Sequence, residues 1–244
     1  MVTNLIAEHG LDIFVLQELE YIYEHWDQAP DTTGCVLVSS GARNGVGFIV
    51  SKRFYKFCVY HHLVREFGIL LCEVDGVRIL VLNVHLPDDG TCTSRGFSLP
   101  QVLNSIDEAL SKVWLEGGWH HIVMAGDFNT VHPGDMQCTS DTVSDATVAR
   151  HTSRAADIFM LCCKWHIEWC ASSSCDYRFS AHGELLPTSH LHHTHIHKVG
   201  HNARVLDYMC SGGKAGLHPG VLQYDVLPEL AVSSDHLPLV GSYG

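Results

Sequence analysis

Positive charge is scarce in this chain: 15 Lys and Arg stand against 27 Asp and Glu among 244 residues, a formal net charge of −12. That balance argues against a protein that coats nucleic acid by electrostatics alone. It leaves room for a site whose carboxylates need a divalent cation before a phosphate can approach. Long apolar runs are also missing. Stretches such as Ile79 to Val84 are strand-length, far short of the ~20 apolar residues that cross a bilayer. The opening Met1-Val2-Thr3-Asn4 has neither the basic stretch nor the apolar segment of a secretory leader. A soluble, intracellular protein is therefore expected, with no membrane partner and no obligate protein partner. Ten cysteines are present, but no Cys-x-x-Cys pair and no zinc-knuckle spacing, so buried reduced thiols are expected. No repeat, low-complexity linker or compositional break divides the chain, which reads as one domain over residues 1–244.

What is present is mostly strand. Val2 to His9 is a short helix candidate ended by Gly10. Asp12 to Gln17 reads as a buried strand, followed by Cys35 to Ser39 and Val46 to Ser51 around the turn-rich 41–45. Lys56 to Val64, Ile69 to Val74 and Val77 to Val84 continue the pattern, the last two flanking the hairpin dipeptide Asp75-Gly76. After a loop from Pro87 to Ser94, Leu99, Val102, Leu103, Ile106, Leu110 and Val113 recur at helical spacing. His121 to Ala125 is a further strand, Ala155 to Trp165 a helix, and Arg204–Met209, Val221–Val226 and Leu237–Gly241 are the closing strands. Strand-rich stretches interrupted by a few helices predict two sheets packed face to face with helices outside.

Several polar residues sit at the ends of these strands or within them: Glu18, Asp127 and Asn129, Asp207, and the adjacent pair Asp235-His236. A carboxylate at a strand end is ordinarily only solvated, and an Asp-x-Asn turn ordinarily caps a loop. Together, however, rigid strand ends can converge such groups on one pocket. Hard cations such as Mg²⁺ prefer carboxylate oxygens, and a metal beside an oriented water is the common logic of phosphate-ester hydrolysis.

Gln17-Glu18, Asn83-Val84-His85, Gly126-Asp127-Phe128-Asn129, Leu206-Asp207-Tyr208 and Ser234-Asp235-His236-x-Pro238 occur in the order typical of the endonuclease/exonuclease/phosphatase superfamily, and on them the chain resembles it. The resemblance is nearest the apurinic and retrotransposon endonuclease branch. It implies a DNase I-like fold, a four-layer α/β/β/α sandwich of two mainly antiparallel sheets, and a hydrolase using Mg²⁺ or Mn²⁺. Glu18 and Asp235 then match metal-binding acids. Asp127 matches the residue that positions the attacking water, and Asn129 its partner at the scissile phosphate. His236 matches a phosphate ligand held by Asp207, and His85 a residue facing the leaving group. Asn83, Thr194 and Ser234 are expected on the substrate side. The family opens with a strand carrying an asparagine well before the metal-binding glutamate. Only seventeen residues precede Glu18 here, so the first strand is expected to be missing by N-terminal truncation.

His182, His190, His192, His193, His195, His197 and His201 crowd one stretch, read either as a metal-sequestering tract or as a solvated loop. Three functions follow. The leading one is endonuclease-like cleavage of DNA. The others are a phosphatase or phospholipase of the same fold acting on inositol phosphate or a lipid headgroup, and a catalytically inactive fragment of a retroelement polyprotein.

Overall fold

The computed structural model describes residues 10–19, 34–138, 144–169 and 206–213, with 136–138 and Asp207 described by their backbone alone. It also gives the backbone of six short strands: β9 (Tyr177–Phe179), β10 (Leu185–Pro187), β11 (His195–Ile196), β12 (Ala203–Arg204), β14 (Gln223–Val226) and β15 (Leu239–Ser242). The candidate helix at Val2 to His9 lies outside the described residues, as do the expected site residues Thr194, Ser234, Asp235 and His236.

β1 (Ile13–Leu16), β2 (Cys35–Ser39) and β3 (Gly47–Ser51) form a three-stranded antiparallel sheet in the order β1-β3-β2. The larger sheet runs β4-β5-β6-β7-β13-β8, with β4 (Cys58–Leu63), β5 (Phe67–Val74), β6 (Val77–His85), β7 (His121–Asp127), β8 (Ile167–Glu168) and β13 (Asp207–Gly213). Its pairings are antiparallel except β6 with β7, which run parallel. The β5–β6 hairpin turns on Asp75 and Gly76, both at positive φ (50° and 79°), the geometry that the Asp-Gly dipeptide supplies.

Burial divides the molecule into layers. Val38, Phe48 and Val50 of the small sheet pack on Leu70, Cys72 and Val81 of the large one. The opposite face of the large sheet takes two helices, α3 (Leu99–Leu115) and α4 (Asp145–Lys164), through residues such as Ile69, Leu82 and Met124. All six apolar positions of the predicted stripe on α3 are buried, each stabilising by about 2 kcal/mol. Among the described residues this makes helix, sheet, sheet; a helical layer outside the small sheet is not among them.

Four expectations need correction. A four-residue helix, α1 (Lys52–Tyr55), stands between β3 and β4, so the strand begins at Cys58 instead of Lys56. The loop expected from Pro87 to Ser94 contains α2 (Asp89–Arg95). Asp88 caps it by accepting the Thr91 N–H at 2.6 Å, and Gly96 closes it in the left-handed region. The helix expected from Ala155 begins ten residues earlier, at Asp145, where the Ser144 hydroxyl accepts the Thr147 N–H. Its first half is polar and carries no continuous apolar stripe. The strand expected over Arg204–Met209 is two, β12 and β13, and β13 continues to Gly213.

Candidate active site

The parallel pairing of β6 and β7 sets the site. Its register aligns Asn83 with Ala125, Val84 with Gly126 and His85 with Asp127, so His85 and Asp127 end adjacent strands side by side. Carboxyl ends of parallel strands are where open α/β sheets place their ligands. On the other side of β7, the antiparallel register brings the backbone of Asp207 opposite Asp127. Gly126 has φ +135°, and a Cβ there would collide with the Val84 carbonyl, so the close approach of the two strands depends on glycine.

Asp127 is 6% exposed, and its carboxylate is gripped by its own turn. The Asn129 N–H donates to Oδ1 at 2.7 Å, and Asn129 Nδ2 donates to Oδ2 at 3.0 Å. Nδ2 also donates to the Leu86 carbonyl at 2.8 Å, tying this turn to the loop that follows β6. Asn129 is at φ +46°, a left-handed conformation that Asn tolerates better than most residues. Between them Phe128 is fully buried against Tyr208 and Trp169, at ring-centroid distances of 5.3 and 5.4 Å. The motif thus alternates one hydrophobic anchor with two polar groups held at the strand end.

Glu18 approaches from the small sheet. Its side chain is 69% exposed, and Oε1 lies 3.8 Å from His85 Nε2, which is itself 3.9 Å from Asp127 Oδ2. Glu18 has φ +54°, an uncommon conformation for a glutamate and one often found where a site holds a residue against its preference. Both of its neighbours are pinned. Leu19 is buried and donates its N–H to Gly45 O at 3.0 Å. Gln17 donates Nε2 to Asn83 Oδ1 at 2.6 Å.

Asn83 does not face an opening. It is 0% exposed, and its Nδ2 donates to Leu16 O at 2.9 Å and to Gly47 O at 2.8 Å. One buried amide therefore staples β6 to β1 and β3, immediately before Glu18 in the chain. The tripeptide Asn83-Val84-His85 marks the position, but nothing local in it distinguishes a brace from a substrate contact.

Sequence reasoning missed Arg154. It sits on α4, 7% exposed, and donates to Thr130 Oγ1 at 3.0 Å, Pro87 O at 2.7 Å and Asp89 Oδ1 at 2.7 Å. These bonds join the segment after Asn129 to the segment after His85. No motif announces it; an arginine inside an amphipathic helix is informative only once its burial is known. Two of the scarce basic residues are engaged by acids: Arg53 pairs with Asp12 at 2.9 Å and Arg95 lies 3.8 Å from Glu66.

Among the described residues, no cluster of three or more His, Cys, Asp or Glu is arranged to hold a metal. The donor set still suits a hard cation. Mg²⁺ commonly binds through one or two carboxylates and keeps several waters, and Glu18 offers an exposed carboxylate beside a buried acid and an imidazole.

No family model matches the sequence, and no curated protein matches it. Solved structures do. The AP endonuclease LMAP from Leishmania major superposes with a TM-score of 0.70 at 15% identity, over 98% of this chain and 80% of that one. The endonuclease domain of TRAS1, a telomere-specific non-LTR retrotransposon, gives 0.58 at 13% identity, over 99% and 90%. D. rerio TDP2 complexed with a single-strand DNA product gives 0.57 at 14% identity, over 100% and 90%. The chain shares the fold of these structures, a mixed α/β arrangement of packed sheets and helices consistent with the DNase I-like fold that the motif order implied.

Proposed function

We propose that the chain is a divalent-metal-dependent phosphodiester hydrolase acting on DNA. The observation that carries this reading is the held Asp127 carboxylate, fixed through both oxygens by Asn129, beside His85 and facing Glu18 at the end of the parallel strand pair. Three solved structures of the same fold are an AP endonuclease, a retrotransposon endonuclease domain and a protein bound to a DNA product, which supports a nucleic-acid substrate.

Asp127 accepts the proton of the water that attacks phosphorus in line with the leaving oxygen, and Asn129 keeps the carboxylate from turning away. His85 lies between the two acids and faces the leaving group. Glu18, with Asp235, would hold the metal, which when bound neutralises phosphate charge and polarises the P–O bond. By the motif order, His236 is assigned to a phosphate oxygen with Asp207 as its partner, and Ser234 and Thr194 to the substrate side. Asn83 and Arg154 act through other residues: the first holds the strand ahead of Glu18, the second the loops around Asn129.

Supercoiled plasmid, abasic duplex, single-stranded DNA and inositol phosphates, each incubated with Mg²⁺, test the reading. DNA cleavage that disappears in Asp127→Asn supports it. Release of phosphate from inositol phosphates alone would move the substrate to the phosphatase reading. A folded chain inert on all four would favour the inactive fragment.

A further inference from the structure

Away from the candidate site, the hairpin at the β4 edge carries two thiols face to face. Cys58 opens β4 and Cys72 lies on β5, and the strand register pairs them directly, with their Sγ atoms 3.6 Å apart. The Glu73 N–H donates to Phe57 O at 2.8 Å, the bond that flanks a non-hydrogen-bonded pair. In such pairs facing Cα atoms are about 4.5 Å apart and side chains lie closest. That separation falls within the ~4.4–6.8 Å that a disulfide spans. The ladder then slips by one residue, since Tyr60 pairs with Leu71, so a bulge at Val59 adds local twist and allows the strand to adjust.

The two thiols differ in access. Cys72 is 1% exposed within the core between the sheets, whereas Cys58 is half-buried at its margin. The hydrogen bond between the two sulfurs holds the Cys58 thiol below its ordinary value, and the same bond together with burial pushes the Cys72 thiol up. Cys162, by contrast, has its thiol pushed up to about 12 by burial. Cys163 is exposed.

We propose that Cys58 and Cys72 form a hydroperoxide-sensitive dithiol that closes to a cross-strand disulfide. The Cys58 thiolate attacks the peroxide, the O–O bond breaks, and Cys58 becomes a sulfenic acid while the other oxygen leaves as water or alcohol. The Cys72 sulfur then attacks Cys58 Sγ, the S–O bond breaks, and hydroxide leaves with the Cys72 proton as water. Two thiols are oxidised by two electrons and one peroxide is reduced. The product ties β4, whose partner among the described residues is β5 alone, covalently to the sheet.

The test uses the folded full chain, titrated with hydrogen peroxide, quenched with an alkylating reagent, digested and mapped by mass spectrometry. The expected result is a linked peptide pair containing Cys58 and Cys72, lacking two hydrogens and released by dithiothreitol. It forms in C163S and is absent in C58S. The wild-type chain alone suffices to overturn the proposal. Cys58 and Cys72 both remaining alkylatable after Cys163 has been oxidised would do so, as would Cys58 linked to any other cysteine.

Discussion

Replacing Asn83 by alanine separates a brace from a substrate contact. The buried Asn83 amide donates to Leu16 O and Gly47 O and accepts from Gln17. Alanine leaves both carbonyls without this donor, while the part-buried Gln17 amide can turn toward water. A buried acceptor stripped of its bond costs ~1–3 kcal/mol, so with two carbonyls the expected loss is about 3 kcal/mol. For a chain of this size that lowers the unfolding midpoint by roughly 10 °C. Asn83→Asp should be at least as harmful, because a carboxylate cannot donate to either carbonyl. Urea denaturation followed by tryptophan fluorescence measures the loss. Cleavage kinetics on the same samples should show a raised Mg²⁺ requirement, since the loosened strand end carries Glu18. A stability loss below about 1 kcal/mol together with a raised KM for DNA would refute the brace and return Asn83 to the substrate side.

Arg154→Met removes three hydrogen bonds from a buried guanidinium and should cost ~2–4 kcal/mol in urea denaturation, with kcat reduced in the surviving folded fraction. An unchanged denaturation midpoint would contradict it. Glu18→Gln should raise the Mg²⁺ concentration for half-maximal cleavage by at least about tenfold while leaving stability near wild type, because its side chain is largely exposed. An unaltered metal titration would remove Glu18 from the metal site. Burial holds the imidazoles of His132 and His121 below their ordinary value. The unfolded chain therefore binds more protons in the acid range, so this stability is complete above about pH 6.5 and is lost as pH falls below it. Urea midpoints should drop between pH 7.5 and pH 5.5, and His132→Gln should lessen the drop; equal slopes in the two proteins would contradict the assignment to His132.

Strands β1 to β7 were legible because each is a short apolar, β-branched run between turn residues, whereas β8 to β11, of two or three residues each, were not predicted. β2 matches its predicted bounds, and the Asp75-Gly76 turn fixes the β5–β6 register. The stripe on α3 was legible for the same reason at helical spacing. α2 was not, because Asp88-Asp89-Gly90-Thr91 has turn composition and the deciding fact is a side-chain cap. The opening half of α4 was hidden by polar residues, and Arg154 with it.

Within the site, Glu18, His85, Asp127 and Asn129 were named from motif order, and the structure brings these four together. What the chain could not reveal is division of labour. That Asn83 is sealed under β1, and that Asn129 spends its amide hydrogens on Asp127 and Leu86, depends on packing between distant segments. The Cys58–Cys72 pairing is similar: it depends on the strand register and the bulge, neither of which cysteine spacing predicts.

The central claim is that Asp127 activates water for phosphodiester cleavage, and one comparison tests it most directly. Wild-type chain and Asp127→Asn are assayed on abasic duplex and plasmid DNA with Mg²⁺, and their folding is checked by circular dichroism. Asparagine keeps the shape of the side chain but cannot take the proton. The account predicts a folded variant whose kcat falls by about 10²–10⁴-fold, the range for a lost general base. A folded Asp127→Asn that cleaves DNA at the wild-type rate would contradict it.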